Sequence, residues 1–191
     1  QMGSDIDGET AEDNSGGAIA LSSDGNIVAI GARLKNNSNG LYAGQVRIFR
    51  YNSSNNTWEQ MGSDINGQRS PDKFGNSVAL SSDGTVVAIG EEEYRFSDSS
   101  QDNRKGRVYI YEYNSANNTW GQKGNSLTGR RQRDYFGTSV ALSNDGNRLA
   151  VGAKNNNGHD GNTTQGGQVS IFRYNSSNDQ WEQIGEDIYG D

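Results

Sequence analysis

One stretch of this chain, FGNSVALSSDGTVVAIG at Phe74–Gly90, is written three times. Its copies are SGGAIALSSDGNIVAIG at Ser15–Gly31 and FGTSVALSNDGNRLAVG at Phe136–Gly152. Each copy is a short apolar run, an Asp-Gly pair and a second apolar run. Asp-Gly between two apolar runs predicts a β-hairpin, because glycine takes the positive φ of a tight turn without steric cost. A hairpin has two faces and must bury one of them. Three equal hairpins in tandem do so most simply against one another.

The period is regular. Gly31, Gly90 and Gly152 are spaced by 59 and 62 residues, and Trp58, Trp120 and Trp181 by 62 and 61. A third segment keeps the same phase: QMGSDIDG at Gln1–Gly8, QMGSDING at Gln60–Gly67, QIGEDIYG at Gln183–Gly190, and a weaker copy, QKGNSLTG, at Gln122–Gly129. Residues 1–191 thus read as a single repeat array. The repeats run over about 1–59, 60–121 and 122–182, and 183–191 begins a fourth copy.

Within one repeat the pattern predicts four strands: Ser77–Leu80, Val86–Gly90, Arg107–Tyr113 and Thr119–Lys123. In RVYIYEY, alternation puts Val108, Ile110 and Glu112 on one face and Tyr109, Tyr111 and Tyr113 on the other. The expected fold is all-β: tandem four-stranded antiparallel blades of about 60 residues, propeller-like, with three blades plus a redundant terminal strand. Three blades are too few to close a ring of typically four or more. Closure or extension by further blades or by other chains is therefore expected. One molecule's Trp181–Gly190 would then lie against the next molecule's Gln1–Gly8.

The residues that carry the repeat resemble the FG-GAP family, the propeller repeat of integrin α-subunit heads and of many bacterial and algal surface proteins. They are Phe74-Gly75 and Phe136-Gly137, Ser77-Val78-Ala79 and Ser139-Val140-Ala141, Gly31-Ala32 and Gly152-Ala153. Gly-x-Val-x-Ile-aromatic joins them at Gly44–Phe49, Gly106–Tyr111 and Gly167–Phe172. Repeat one departs with Ser15-Gly16 and repeat two with Gly90-Glu91, and the family's Gly-Ala-Pro has no proline here. The resemblance implies a propeller fold and calcium in a D-x-D-x-D-G-type loop. The matching turns, Asp24-Gly25, Asp83-Gly84 and Asp145-Gly146, offer one carboxylate each, too few for a hard cation that takes six to eight oxygens. They read as turn residues, and no cofactor is expected.

Charge and composition narrow the function. The chain has 17 Lys+Arg against 24 Asp+Glu, a net charge of −7, which argues against nucleic acid as a partner. No apolar run reaches the roughly 20 residues that a membrane-spanning helix needs, so no membrane insertion is expected. Gln1 is not a natural start, and any address signal is expected to have gone with the original N-terminus. There is one histidine, His159, and no cysteine, so nucleophile–base pairs and imidazole clusters cannot form. No pair of acids stands out for glycosidase-type chemistry. The periodic tryptophans read as packing groups rather than sugar platforms.

N-x-S/T occurs at Asn36, Asn52, Asn55, Asn117, Asn162 and Asn175, the candidate N-glycosylation sites; four of them precede the Trp strand. Glu91, Glu92 and Glu93 and the basic Arg130, Arg131 and Arg133 are each confined to one repeat. They read as solvated loop charge, or as contact charges for a neighbouring molecule. The leading expectation is an extracellular, glycosylated, non-catalytic structural or adhesive protein that assembles with itself head to tail. The alternatives are a head that binds an extracellular glycan or protein ligand, in the manner of integrins or lectins, and a carbohydrate-active enzyme.

Overall fold

The computed structural model describes residues 1–94, 104–157 and 166–190. Among these residues all regular structure is β. Blade 1 is β1 (Ser15–Leu21), β2 (Ile27–Ala32), β3 (Gln45–Asn52) and β4 (Thr57–Gln60), hydrogen-bonded in that order, with β5 (Ile65–Asn66) added beside β3. Blade 2 repeats this with β6 (Ser77–Leu80), β7 (Val86–Glu91), β8 (Arg107–Asn114), β9 (Thr119–Gln122) and β10 (Leu127–Thr128). Blade 3 has β11 (Phe136–Leu142), β12 (Arg148–Ala153), β13 (Gln168–Asn175), β14 (Gln180–Gln183) and β15 (Ile188–Tyr189). Every pairing within a blade is antiparallel. The propeller-like blades expected from the repeat are present.

The Asp-Gly turns do more than reverse the chain. Asp24 accepts from Ser22 Oγ and the Asn26 main-chain N–H, Asp83 from Ser81 and Thr85, and Asp145 from Ser143 and Asn147. Each carboxylate thus caps its own turn. Neighbouring turns are joined as well: Ser23 N–H donates to Ser82 O, and Ser82 N–H to Asn144 O, each at 2.9 Å. This ties the first strands together, and β6 packs against both β1 and β11.

The hydrophobic core lies between blades. The third strand feeds two cores by alternation, as its period of two requires. Val108 and Ile110 face blade 3 and pack with Phe136, Leu149, Val151 and Phe172. Tyr109, Tyr111 and Tyr113 face blade 1 and pack with Val46, Ile48, Met61, Ile65 and Phe74. The phenylalanine of each Phe-Gly pair plugs the junction: Phe74, wholly buried, bridges to Gly44, and Phe136 to Gly106. Gly106 sits at φ 77°, and a Cβ there would strike the Phe136 carbonyl, so the close approach needs glycine.

The tryptophans staple blades to the segment before them. Trp58 Nε1 donates to Met2 O, Trp120 Nε1 to Met61 O and Trp181 Nε1 to Lys123 O, at 2.8–2.9 Å. Each indole also leans on the tyrosine opposite it, with ring centroids 5.2–5.5 Å apart. Their packing role is the one their period predicted. Met2 and Gly3 lie on Trp58 as Met61 and Gly62 lie on Trp120, so the opening segment follows the pattern of the later repeats. Exposed apolar side chains remain at the two ends of the array, Ile19 and Leu21 on β1 and Val169 and Ile188 on blade 3.

Candidate functional site

The three repeats serve as controls for one another. A residue present in all of them answers to the architecture. A residue present in one needs a separate reason, most of all where it is costly to bury.

The inter-blade link carries an aspartate in every repeat: Asp13, Asp72 and Asp134, all buried. In blade 1 the Asp13 carboxylate accepts from the Thr10 N–H at 3.0 Å, from Thr10 Oγ1 at 2.6 Å and from Lys35 Nζ at 2.9 Å. In blade 3 Asp134 accepts from the Arg131 N–H at 2.9 Å and from Asn156. In blade 2 the position of Lys35 and Asn156 is held by Tyr94. The last residue of the second strand, Ala32 in blade 1 and Ala153 in blade 3, is Glu91.

Glu91 is 1% exposed, and both of its carboxyl oxygens are buried without a hydrogen-bond partner. Burial, and then the negative charge of Asp72, push its pKa from 4.5 to about 8, against the opposing pull of Arg107 and Arg69. At neutral pH the group is a carboxylic acid. Its cross-strand partner is Arg107, directly opposite on β8. The Arg107 guanidinium is committed elsewhere. It stacks on the Tyr94 ring at 3.5 Å and donates to Tyr109 Oη at 2.9 Å and to Thr128 Oγ1 at 3.2 Å. Tyr109 meets Phe74 edge to face at 5.8 Å and fills the junction.

The acidic run is therefore not solvated. Glu92, also buried, accepts from Lys154 Nζ at 2.8 Å and Thr138 Oγ1 at 3.2 Å, which ties blade 2 to blade 3. Glu93 accepts from Lys73 Nζ at 2.6 Å. Glu91 and Glu92 are buried and Glu93 is half-buried and paired with Lys73, and the reading of Glu91 and Glu92 as solvated or intermolecular contact charges is corrected. Adjacent carboxylates in a sequence look like a wet loop. Here β7 runs one residue further than expected and carries Glu91 into the junction. The signal that could have found it is the alanine at the same place in the other two repeats.

The basic residues are exposed. Arg130 binds Asp187 at 2.9 Å and Gln183 at 2.7 Å within this chain, Arg131 follows it, and Arg133 sits at φ 65°. Of the sequons, Asn55 and Asn117 are exposed at turn tips, each accepting from its own threonine at 2.7 Å. Asn36 is exposed and accepts from the Tyr42 N–H. Asn52 and Asn175 are half-buried last residues of strands, their amides donated to Glu59 and Glu182. Asn162 and His159 lie outside the described residues.

The equivalent junction between blades 2 and 3 is built otherwise. Ser170 stands where Tyr109 does, Gln168 where Arg107 does and Ala153 where Glu91 does. The smaller side chains leave a hollow of about 160 Å³ beside Phe136 and Phe172. Asp134 lines it, its pKa raised chiefly by burial.

Comparison with known sequences and folds fits this geometry. The sequence model of the FG-GAP repeat matches residues 129–172. The match spans the blade 2–3 link, Phe136-Gly137 and the third strand of blade 3 as far as Phe172, and the resemblance drawn from the repeat is borne out. No curated protein matches the chain closely enough in sequence to count as a relative. Among solved structures, a proposed 6-phosphogluconolactonase of Bacteroides uniformis superposes with a TM-score of 0.57 at 17% identity, over 91% of this chain and 40% of that one. A second, from Bacteroides fragilis, gives 0.58 at 17% identity over 91% and 38%. Sqt1 of Saccharomyces cerevisiae gives 0.53 at 12% identity over 94% and 36%. The chain spans about two fifths of the length of these proteins, and the likeness is one of fold.

The expectation of a non-catalytic structural or adhesive protein, and with it the reading of the chain as no enzyme, is corrected here. The same blades recur in proteins assigned as lactonases. Glu91 and Asp72, both buried, feel each other's charge inside a junction.

Proposed function

We propose that this FG-GAP-type array belongs to a carbohydrate-active enzyme. On this reading it opens a sugar-derived lactone or ester by acid-assisted hydrolysis at the junction of blades 1 and 2. One observation carries the reading: a buried carboxyl without a hydrogen-bond partner, Glu91, stands where the other two repeats have alanine. The fold does not need it, and burying it is costly. Strongly shifted titratable groups cluster at functional sites. The likeness in fold to proteins assigned as 6-phosphogluconolactonases supports the choice of substrate class.

In the proposed step water adds to the carbonyl carbon and the ring C–O bond breaks. Glu91 gives its proton to the leaving oxygen, and the proton of the water passes to the Asp72 carboxylate. Arg107 is the cation beside Glu91 for charge that develops on the carbonyl oxygen. Glu91 is closed off from solvent in this state, so the substrate reaches it only when the junction opens.

The test is hydrolysis of glucono-δ-lactone and 6-phosphogluconolactone near neutral pH, followed by acid release against the spontaneous rate. The wild-type chain is expected to accelerate one of them, and Glu91→Gln to lose about 10²–10⁴ of that acceleration, the usual contribution of a positioned acid. A wild-type rate equal to the spontaneous one sinks the proposal, and so does a fully active Glu91→Gln.

A further inference from the structure

The hollow between blades 2 and 3 reaches the phenylalanine plug, whereas the cleft between blades 1 and 2 that is lined by Ile65, Asn66, Gln68, Tyr111 and Trp120 does not, and the hollow does not depend on the acid role of Glu91. Its volume, about 160 Å³, is close to the roughly 150 Å³ of an engineered cavity that holds one benzene ring. A single six-membered ring fits.

The lining is two-sided. Phe136 and Phe172, perpendicular with centroids 6.1 Å apart, supply an apolar wall. Asp134, Ser170, Gln168 and Gln183 supply polar groups. These polar groups are held in place: Ser170 Oγ donates to Asp187 at 2.6 Å and accepts from Gln168 Nε2 at 2.9 Å, and Gln183 Nε2 donates to Asp187 at 2.8 Å. Asp134 uses its carboxylate for the Arg131 N–H and Asn156, and a carboxylate has about four acceptor positions. An apolar wall facing a few fixed polar groups is the common build of a small-molecule site. The ligand that matches both sides is a ring with an apolar C–H face and hydroxyls around its edge.

We infer that the hollow at the blade 2–3 junction is a binding site for one hexose-sized sugar, with the ring against Phe136 and Phe172 and its hydroxyls toward Asp134, Gln168 and Gln183.

The molecule supplies its own control. Ser170→Tyr places in blade 3 the residue that blade 2 carries and packs at the same position, and Gln168→Arg does the same for Arg107. The experiment is amide-shift titration of the 191-residue chain with D-glucose and, as an apolar ring of similar size, cyclohexanol. Expected are saturable glucose shifts at Thr128, Gly129 and Ser170, with cyclohexanol at least about tenfold weaker. Each filling variant is expected to weaken glucose by a similar factor; if Ser170→Tyr fails to fold, Gln168→Arg decides. Cyclohexanol binding as well as glucose would make the hollow a packing gap and overturn the inference. So would unchanged glucose binding in a folded filling variant, or the absence of saturable shifts at those residues.

Discussion

Two junctions of this molecule start from one pattern and end differently. Both are closed by a phenylalanine that enters from the next blade, Phe74 in one and Phe136 in the other, and both carry a buried aspartate in the link. Between blades 1 and 2 the space is filled by Tyr109, Arg107 and Glu91; between blades 2 and 3 the same positions hold Ser170, Gln168 and Ala153, and a hollow remains. The repeated framework fixes where the side chains point. Three positions per junction then decide whether it holds a buried acid or an empty space. The junctions differ here without any change to the hairpins, the Phe-Gly plug or the tryptophan staple.

The largest effect expected from this contrast is on pH dependence. The folded-state pKa of Glu91, about 8, lies above its ordinary value of 4.5. The folded chain therefore holds a proton that the unfolded chain has released between those limits, and stability falls as pH rises from about 4.5 to 8. The full penalty is reached above pH 8 and amounts to at most about 5 kcal/mol. Glu91→Gln keeps the volume and cannot ionise. Urea midpoints at pH 5, 7 and 9 should show the variant close to wild type at pH 5 and well above it at pH 9. Parallel curves would mean that Glu91 is solvated and that the two junctions do not differ in this respect.

Much of this contrast could be read in advance, and the part that could not has a physical cause. The hairpins, the two faces of Arg107–Asn114 and the packing role of Trp120 follow from periods of two and sixty, which are properties of the chain alone. The two-residue strands β5, β10 and β15 are too short to leave a periodicity. Two more glutamates follow Glu91, and such a run reads as solvated. The burial of Glu91 depends on Asp72 and Arg107, which meet it only when the blades are packed. The hollow is a difference between repeats at Tyr109 and Ser170, and it becomes meaningful only once register places those residues in equivalent junctions.

The next effect tests whether the filling of one junction is what distinguishes it. Tyr109→Ser gives blade 2 the residue of blade 3. It removes an aromatic ring that is 7% exposed and packs on Phe74, and it frees the N–H of Arg107 that donates to Tyr109 Oη. Loss of a buried aromatic side chain costs roughly 3–5 kcal/mol where the site cannot collapse. Denaturant unfolding should show a loss in that range. A loss below about 1 kcal/mol would mean that the junction tolerates a hollow at no cost. Blade 3 would then owe its hollow to indifference, and the case for a sugar site there would weaken.

The smallest effect concerns what the junctions share. Trp120 Nε1 donates to Met61 O at 2.8 Å, and its indole leans on Tyr113. Trp181 does the same with Lys123 O and Tyr174, but it is almost fully buried where Trp120 is only half-buried. Tryptophan to phenylalanine removes the N–H donor and keeps most of the ring. The carbonyl left behind regains water beside a half-buried indole and stays dry beside a buried one. Trp120→Phe should therefore cost about 1 kcal/mol, the net value of one hydrogen bond, and Trp181→Phe should cost more, by the desolvation of an unsatisfied carbonyl. If both variants lose the same amount, the staple works by packing alone, and the burial difference between the two blades has no bearing on it.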